Sequence, residues 1–335
     1  MFNPFAKLNR KLGIDLGSAR TRIWVQDYGL IIDEPSLIAV DQATQKVIAV
    51  GEQAFKMKDR VSGQIQVFAP VQHPKITDDL LVKAMLKVFL QQASQQAYFF
   101  SPTMVLALPS NIYPVMREVL VKVLTELGAN EVAVVDQTLA SAIGAGVPVA
   151  DASGTFVLQM GAQVIEATSL SMSKIVKTYA SGQAGNMLCQ DLIYWFKENK
   201  SLIISRNMAQ AVLSKLGSFF SGEETMIVSG LSVKDGSLQE IKTSAQEIAE
   251  VINSYGQAFA DLAKKMLANI PPSLVVDIVD KGLMLSGGLA QLDGLEEYLT
   301  RKLGVPVFLA DDPETCVIKG VGQVMKNLEE FQPEV

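Results

Sequence analysis

The sequence predicts an α/β protein made of two similar domains. Three observations support this prediction: a strand–glycine turn–strand pattern occurs near residue 15 and again near residue 160, helical patterns follow each copy, and 335 residues suffice for two domains. Hydrophobic residues make up 49% of the chain, so each domain can bury a core. Because open α/β sheets bind ligands at the ends of their strands, we expect a cleft between the two copies.

The first half of the chain indicates short strands followed by strands that alternate with helices. β-branched residues cluster in runs separated by turn residues, and the helices have apolar stripes or proline and glycine at their ends. The strands are expected at 22–26, 29–32, 37–40, 46–50, 104–108 and 132–135, and the helices at 79–92, 114–127 and 138–145. Residues 148–154 are predicted to join the two domains.

The second half repeats this order, with three short strands first and helices after them. The strands are expected at 156–159, 164–170, 174–179, 282–285 and 307–309, and the helices at 186–197, 207–217, 244–269, 294–303 and 314–328. Pro271 and Pro272 are predicted to stop the longest of these helices, because proline interrupts a helix interior.

Composition excludes several classes of function. The formal net charge of −6 argues against general nucleic-acid binding, which requires a basic surface. The two cysteines lie far apart and match neither a zinc nor a redox spacing, so we expect buried free thiols. No apolar stretch is long enough to cross a membrane.

Residues 1–12 form a candidate membrane-binding segment. As a helix, this segment would have an apolar side and a basic side, and no acidic residue occurs before Asp15. The apolar side comprises Phe2, Phe5, Leu8 and Leu12, and the basic side comprises Lys7, Arg10 and Lys11. Such a segment can lie in a bilayer surface and face anionic headgroups. The alternatives are a frayed tail or a helix docked on its own protein.

The glycine turn of each half resembles a phosphate-binding loop in its chemistry. In the first turn, Asp15, Gly17 and Ser18 supply an acid, a tight turn and a hydroxyl, which together suit a phosphate and its metal. The second turn has Gln159 in place of the acid and a single glycine, Gly161. We therefore expect an intact first loop and a disabled second loop.

Several short motifs occur in a fixed order along nearly the whole chain. They lie at 13–19, 33–40, 50–52, 109–110, 140–146, 168–171, 271–274, 285–288, 311–313 and 319–320. Together they resemble the actin, Hsp70 and sugar-kinase superfamily and, within it, the bacterial MreB family. Each motif is short and weakly specific, and the resemblance rests on their common order.

The resemblance implies duplicated actin-like, ribonuclease H-like domains around a central nucleotide cleft, each with a smaller inserted subdomain. Domain I would span 13–150 with its insertion at about 33–76, and domain II would span 151–335 with its insertion at about 186–250. The family's cofactor is ATP or ADP with Mg²⁺. Its members form head-to-tail filaments on the inner face of the cell membrane, in the cytoplasm. The expected partners are further copies or a related actin-like subunit, and cell-shape or division machinery.

The family's nucleotide-binding residues are carried over position by position. The first loop contributes Asp15, which is also the metal-ligand candidate, and Gly17, Ser18, Ala19 and Arg20. Arg20 stands where asparagine is usual, and its cation could hold phosphate or block the pocket. Asp136 aligns with the glutamate that orients the attacking water and is the catalytic candidate. The remaining cofactor-binding candidates are Gly161, Gly185, Gly287 and Gly288.

The second phosphate loop departs most from the family. The family has Asp-x-Gly-Gly-Gly-Thr-Thr, whereas residues 159–165 lack the acid, two of the glycines and both hydroxyls. A neutral amide cannot offset a metal's charge, and the side chains of Ala162 and Gln163 lie where backbone amides would approach phosphate. Further departures are Asn186, Leu213, Lys215 and Leu289. We expect weak nucleotide binding and little or no hydrolysis.

Three functions are compatible with this pattern. The first is a pseudoenzyme of the cytoskeleton that forms or joins membrane-associated filaments in cell-shape determination. The second is an active filament protein that hydrolyses ATP despite these departures. The third is an adaptor or scaffold of the same fold that does not polymerise. A small-molecule kinase is disfavoured, because Asp136 is the one candidate base for a phosphoryl acceptor.

Overall fold

The structure, a computed structural model, describes residues 10–58, 63–72, 75–76, 78–97, 100–220 and 222–328. Its strands are β1 (Lys11–Leu16), β2 (Arg20–Val25), β3 (Gly29–Pro35), β4 (Ile38–Asp41), β5 (Lys46–Val50), β6 (Ile65–Phe68), β7 (Val71–Gln72), β8 (Lys75–Ile76), β9 (Thr103–Leu108), β10 (Glu131–Asp136), β11 (Thr155–Met160), β12 (Ile165–Ser171), β13 (Lys174–Ser181), β14 (Leu202–Ile203), β15 (Thr225–Ser232), β16 (Leu238–Ser244), β17 (Leu283–Ser286) and β18 (Val307–Leu309).

Most helices lie where the sequence predicted them, but the helices at Glu52–Met57 and Pro272–Lys281 were not predicted. The helices are α1 (Glu52–Met57), α2 (Asp79–Ala97), α3 (Pro114–Glu126), α4 (Gln137–Gly144), α5 (Gly185–Lys200), α6 (Arg206–Leu216), α7 (Ala245–Leu267), α8 (Pro272–Lys281), α9 (Leu295–Leu303) and α10 (Cys316–Val324). Short 3-10 helices lie at Gly288–Gln291 and Met325–Asn327. Within the described ranges, no helix is both long and apolar enough to cross a bilayer.

The chain divides into two compact units. Unit 1 comprises Met1–Asp151, Met172–Lys174 and Glu314–Val335, and unit 2 comprises Ala152–Ser171 and Ile175–Pro313. Helix α10 is therefore part of unit 1, whereas the sequence pattern extended the second domain to the end of the chain.

Helix α10 packs directly against strand β1, which explains its place in unit 1. A Cβ atom on Gly13 would lie 2.5 Å from the Val321 side chain, so the helix approaches the strand closely at this glycine. At the preceding residue of the same helix, a Cβ atom on Gly320 would overlap the backbone carbonyl of Ala140 in α4. Because glycine has no side chain, these two close contacts are possible without strain.

Each unit is built on a five-stranded sheet, and the two sheets have the same topology. The strand order is β10-β9-β1-β2-β3 in unit 1 and β18-β17-β11-β12-β13 in unit 2. In both sheets the first strand pairs antiparallel with the second and parallel with a later strand that follows a helix. The predicted duplication of an α/β domain is confirmed.

Each unit has its own hydrophobic core between its sheet and the covering helices. In unit 1, Ile14, Leu106 and the side chains that α2 buries, among them Met85 and Phe89, are almost fully excluded from solvent. In unit 2, Phe156 and Leu285 of the sheet pack with side chains of α5 and α7. Both cysteines are buried, as predicted, and the structure shows no disulfide between them.

Smaller sheets accompany the two central ones. In unit 1, β5-β4-β6 form a three-stranded sheet and β7-β8 a two-stranded one, both within the predicted insertion at 33–76. In unit 2, β14-β15-β16 form a three-stranded sheet within the predicted insertion at 186–250. The sequence pattern did not predict the strands of the β14-β15-β16 sheet.

Helix α8 is a correction to the sequence analysis. Pro271 and Pro272 follow the end of α7 as predicted, but a further helix begins at Pro272 and extends to Lys281. Proline is well tolerated at the first position of a helix, since its missing N–H would have no intrahelical partner there. The pair therefore ends one helix and begins the next.

Candidate functional site

The first phosphate loop is the hairpin between β1 and β2. Its turn is closed by a hydrogen bond of 3.1 Å from the Gly17 N–H to the Arg20 carbonyl. A Cβ atom on Gly17 would lie 2.7 Å from that carbonyl, so only glycine allows this close approach. Ser18 and Ala19 form the tip of the turn, with Ser18 half-buried and Ala19 exposed.

Ser36, which follows β3, supports this turn from below. Its hydroxyl donates a 2.6 Å hydrogen bond to the Gly17 carbonyl and lies 2.8 Å from the Thr21 hydroxyl. The Ser36 N–H donates to the Ala19 carbonyl at 2.9 Å. The turn is thus held on both of its strands, and Ser36 is a supporting residue that the sequence analysis placed only in a family motif.

Asp15, the metal-ligand candidate, lies at the end of β1 and is 5% exposed. Its Oδ1 accepts a hydrogen bond of 3.2 Å from the Gln137 side-chain amide, and its Oδ2 lies 3.7 Å from a guanidinium nitrogen of Arg22. Burial raises the pKa of Asp15 to about 6, although Arg22 and Gln137 act in the opposite direction. Both carboxylate oxygens therefore face N–H groups of the protein itself.

Arg20 is held by a neighbouring acid on β3. Its Nε lies 2.5 Å from Asp33 Oδ1, and its Nη2 donates to the Asp33 backbone carbonyl at 2.6 Å. The contacts show where Arg20 is anchored.

Asp136, the catalytic candidate, caps the N-terminus of α4. Its Oδ1 accepts hydrogen bonds from the backbone N–H groups of Thr138 and Leu139, at 2.8 and 3.2 Å, and from the Thr138 hydroxyl. Its Oδ2 accepts a hydrogen bond from Ser110. This is the usual role of an aspartate at this position of a helix. The next residue, Gln137, is the one whose side chain reaches Asp15.

The second phosphate loop is the hairpin between β11 and β12, and its turn repeats the geometry of the first. The Gly161 N–H donates to the Val164 carbonyl at 3.0 Å, and a Cβ atom on Gly161 would lie 2.8 Å from that carbonyl. The equivalent residues in the first loop are Gly17 and Arg20. The backbone duplication thus extends to the site, while the side chains differ.

In the second hairpin, Gln159 occupies the strand position that Asp15 has in the first. It lies opposite Glu166 on β12 and Ser286 on β17. The Ser286 hydroxyl donates a hydrogen bond to Gln159 Oε1, and Glu166 is fully buried. The sequence analysis missed Glu166, a buried carboxylate across the strand from Gln159.

The N-terminus of helix α5 closes on the second turn. The Gly185 N–H donates to the Gly161 carbonyl at 3.3 Å, and the Asn186 N–H donates to the Ala162 carbonyl at 2.6 Å. The Asn186 side chain accepts a hydrogen bond from Arg206. An exposed helix N-terminus attracts anions because its N–H groups lack partners. Here the loop itself satisfies two of those N–H groups.

The last glycine turn lies beside the end of β11. Gly287 has a positive φ of 89°, and a Cβ atom there would overlap the Met160 carbonyl. Its N–H donates to the Pro313 carbonyl at 2.8 Å, and Gly288 begins the 3-10 helix that follows. In unit 2, Gly185 therefore contacts Gly161, and Gly287 lies against Met160, the residue before Gly161.

The residues around Asp15 do not fit a magnesium ion. Magnesium prefers several oxygen ligands in octahedral geometry, but both Asp15 oxygens face nitrogen donors. Among the residues that the structure describes, no group of three Asp, Glu, His or Cys side chains could hold a metal ion.

The predicted membrane segment is only partly described. Phe2, Phe5, Lys7 and Leu8 lie outside the described residues, whereas Arg10 and the β-strand residues Lys11 and Leu12 lie within them. Leu12 is fully buried in unit 1, so it does not belong to an apolar membrane face. The Lys11 ammonium donates to the Met325 carbonyl at 2.9 Å, and Arg10 donates to the Ala97 carbonyl and stacks over Tyr28. Any amphipathic helix therefore ends before Lys11.

The duplicated sheet with a glycine hairpin in each copy defines an actin-like protein. Over 96% of its length the chain is similar to a crystal structure of MreB 5 of Spiroplasma citri bound to AMPPNP, with 26% identity, a TM-score of 0.92 and 97% of that chain covered. The MamK double helical filament is similar in fold alone, with a TM-score of 0.81, 16% identity and coverage of 95% and 98%.

The family model described as MreB/Mbl protein matches residues 9–333, and the chain belongs to this family. Cell shape-determining protein Mbl of Bacillus cereus is 31% identical over 322 residues, which are 96% of this chain and 97% of that protein. Cell shape-determining protein MreB of Escherichia coli is 29% identical over 325 residues, 95% of this chain and 94% of that protein. The predicted family and fold class are confirmed.

Proposed function

We propose that this chain is an MreB-like cytoskeletal protein that forms or joins filaments and takes part in cell-shape determination. Its family and its fold support this proposal, as do relatives that are named cell shape-determining proteins. The likeness to a solved MamK filament supports the actin-like fold on which such filaments are built. The partners would be further copies of the chain or a related actin-like subunit, together with cell-shape machinery.

We further propose that the chain binds nucleotide weakly and hydrolyses it slowly or not at all. Two similar structures of MreB 5 hold AMPPNP and ADP, which supports nucleotide as the ligand. The proposal of weak nucleotide binding rests on the second phosphate loop. Two amides at the start of α5, those of Gly185 and Asn186, donate to the loop carbonyls at 3.3 and 2.6 Å, and Gln159 replaces a charged group with a neutral one. A lost transition-state donor typically costs about 2.7–4 kcal/mol.

Binding and turnover are measured separately to test this proposal. We expect ATP and ADP to bind more weakly than to an intact family member, and phosphate release to stay near background. The matched variant is Gln159→Asp, which restores the acid with one methylene less. Tight binding with steady phosphate release by the unmodified chain would instead support the active filament protein.

Polymerisation is tested by pelleting and electron microscopy of the full chain with ATP, with ADP and without nucleotide, alone and with an intact family member. Filaments, or co-pelleting with the intact member, are the expected result. No filaments and no co-pelleting under any condition would favour the adaptor.

We also propose a peripheral position on the inner face of the cell membrane, with the chain in the cytoplasm. The sequence of residues 1–9 supports it, and so do the contacts at the junction to the fold. Arg10 donates to the Ala97 carbonyl at the end of α2 and lies 4.6 Å from the centre of the Tyr28 ring. Tyr28 is 48% exposed, and Phe100, three residues after Ala97, is 76% exposed. Aromatic and basic side chains near one another suit a bilayer interface.

Co-sedimentation with anionic liposomes tests the membrane proposal. Deletion of residues 2–9 keeps Arg10 and Lys11, and we expect it to release the protein from the vesicles. In the full chain, Phe100→Ser should weaken binding, whereas Tyr113→Ser is the control because Tyr113 is an exposed aromatic residue on a different element. Unchanged binding of the deletion variant would rule out the N-terminal anchor.

A further inference from the structure

The strongest unassigned feature is a row of charged side chains across three strands of unit 1. In the sheet register, Asp15 on β1 lies opposite Arg22 on β2, and Arg22 lies opposite Asp33 on β3. Residues that oppose one another on adjacent strands point to the same face. The guanidinium therefore lies between two carboxylates, and one of them is the acid of the first phosphate loop.

A third carboxylate completes the surroundings of Arg22. Its Nη1 lies 3.7 Å from Asp15 Oδ2, its Nε lies 3.2 Å from Asp33 Oδ1, and its Nη2 lies 3.6 Å from Glu314 Oε2. The Arg22 side chain is 9% exposed, so water screens its charge poorly. Its three acidic neighbours come from β1, β3 and the segment just before α10.

This arrangement conflicts with a metal ion at Asp15. A divalent cation coordinated by Asp15 would stand beside the buried Arg22 guanidinium, which has the same sign and already pairs with Asp15 Oδ2 at 3.7 Å. The second oxygen of Asp15 already accepts a hydrogen bond from the Gln137 amide at 3.2 Å. Arginine is always protonated in proteins, so this positive charge cannot be lost to make room for the metal.

We infer that Arg22 is the resident cation of the first phosphate loop, and that this site takes a nucleoside di- or triphosphate without a metal ion at Asp15. The inference rests on the proposed nucleotide binding and adds to it the ligand form, the metal-free nucleotide. Arg22 acts here as a positioning and charge-balancing residue. It keeps the carboxylate of Asp15 turned toward the protein.

The test measures the affinity of a fluorescent ADP or ATP analogue for the full chain, with excess Mg²⁺ and with excess EDTA. For the unmodified protein we expect the two affinities to agree within about threefold. Arg22→Leu frees Asp15 for a metal, so Mg²⁺ should then strengthen binding by about tenfold or more. Arg22→Lys keeps the charge and should stay independent of Mg²⁺. Arg301→Leu removes an exposed arginine of unit 2 and is the matched control.

The possible outcomes separate this inference from the proposal on which it rests. Nucleotide binding that needs Mg²⁺ in the unmodified protein overturns the inference and leaves the proposed nucleotide binding intact. No binding under either condition overturns both. If Arg22→Leu folds but Mg²⁺ does not strengthen its nucleotide binding, Arg22 is not the residue that excludes a metal ion from Asp15, and the inference is overturned. Should Arg22→Leu fail to fold, the comparison of the unmodified protein with Arg22→Lys and Asp15→Asn decides, since a metal ligand at Asp15 would give a Mg²⁺ effect that Asp15→Asn abolishes.

Discussion

The buried carboxyl of Asp15 should make the stability of unit 1 depend on pH, and Asp15→Asn isolates this effect. Burial raises the pKa of Asp15 from 3.8 to about 6 against the opposing effects of Arg22 and Gln137. Because the pKa is higher in the folded chain, the folded state binds more protons than the unfolded state between these two values. The contribution of Asp15 to the free energy of unfolding is therefore lost as the pH rises through this window.

The magnitude follows from the size of the shift. A difference of about two pKa units corresponds to about 3 kcal/mol, and about 2 kcal/mol of this develops between about pH 4.5 and pH 7.5. Asparagine does not titrate, so Asp15→Asn lacks this contribution. As the pH rises over that interval, the free energy of unfolding of the variant should therefore increase by about 2 kcal/mol relative to that of the unmodified chain.

Urea unfolding at the two pH values measures this difference. The chain has two tryptophans, and Trp24 lies in β2, two residues after Arg22. Replacing the other one by Trp195→Phe leaves Trp24 as the tryptophan whose fluorescence reports on unit 1. Asp27→Asn is the control, because it removes an aspartate that is exposed in the turn after β2. The reasoning is refuted if the free energy of unfolding of Asp15→Asn, relative to that of its background, stays the same or falls as the pH rises.

Three further predictions concern close packing and the support of the first loop. Gly320→Ala should lower the free energy of unfolding of unit 1 by about 1–3 kcal/mol or more, because its new methyl group overlaps the Ala140 carbonyl. Ser36→Ala should cost about 1–3 kcal/mol in unit 1, measured by urea unfolding, since the Gly17 carbonyl loses a partly buried hydrogen bond. Phe196→Ala should cost about 3–5 kcal/mol in unit 2, measured through the fluorescence of Trp195, because it empties a fully buried site.

Each of these predictions has a matched control. Gly182→Ala adds a methyl group with no atom within 4 Å, Ser94→Ala removes an exposed hydroxyl on α2, and Tyr194→Ala removes a side chain that is 60% exposed. The packing argument fails if a control destabilises the protein as much as its partner. The Ser36 argument also fails if Ser36→Ala unfolds at the same urea concentration as the unmodified chain.

The N-terminal segment shows how a local pattern can extend too far. The sequence placed Leu12 on the apolar side of a helix with Phe2, Phe5 and Leu8, since helical spacing allowed it. In the structure Leu12 opposes Val25 in the β1–β2 pairing and is fully buried. Helical and strand periodicities cannot be separated at the last residue of a short segment, and the burial of Leu12 decides for the strand.

The roles of the candidate site residues also depended on contacts that the sequence does not show. Asp136 was assigned by its alignment, whereas the structure gives its carboxylate to the cap of α4 and directs Gln137 toward Asp15. The sequence analysis did not single out Arg22, although Arg20 and Arg22 are two residues apart in one strand and therefore lie on the same face of it. A sequence shows that two residues share a strand face, but it does not show which acids meet them on that face.

The sequence by itself determined the duplicated α/β architecture, the glycine hairpins, the places of most helices and the family, because these depend on short-range periodicity, turn chemistry and the order of motifs. The tertiary structure decided which groups face one another. Asp15, Asp33 and Glu314 are far apart in the chain, yet strand register and the docking of the last helix gather them around Arg22. Likewise, only the folded chain brings the start of α5 to the carbonyls of the second loop. Burial and register act between distant residues, and for that reason the charge balance of the site is a property of the fold.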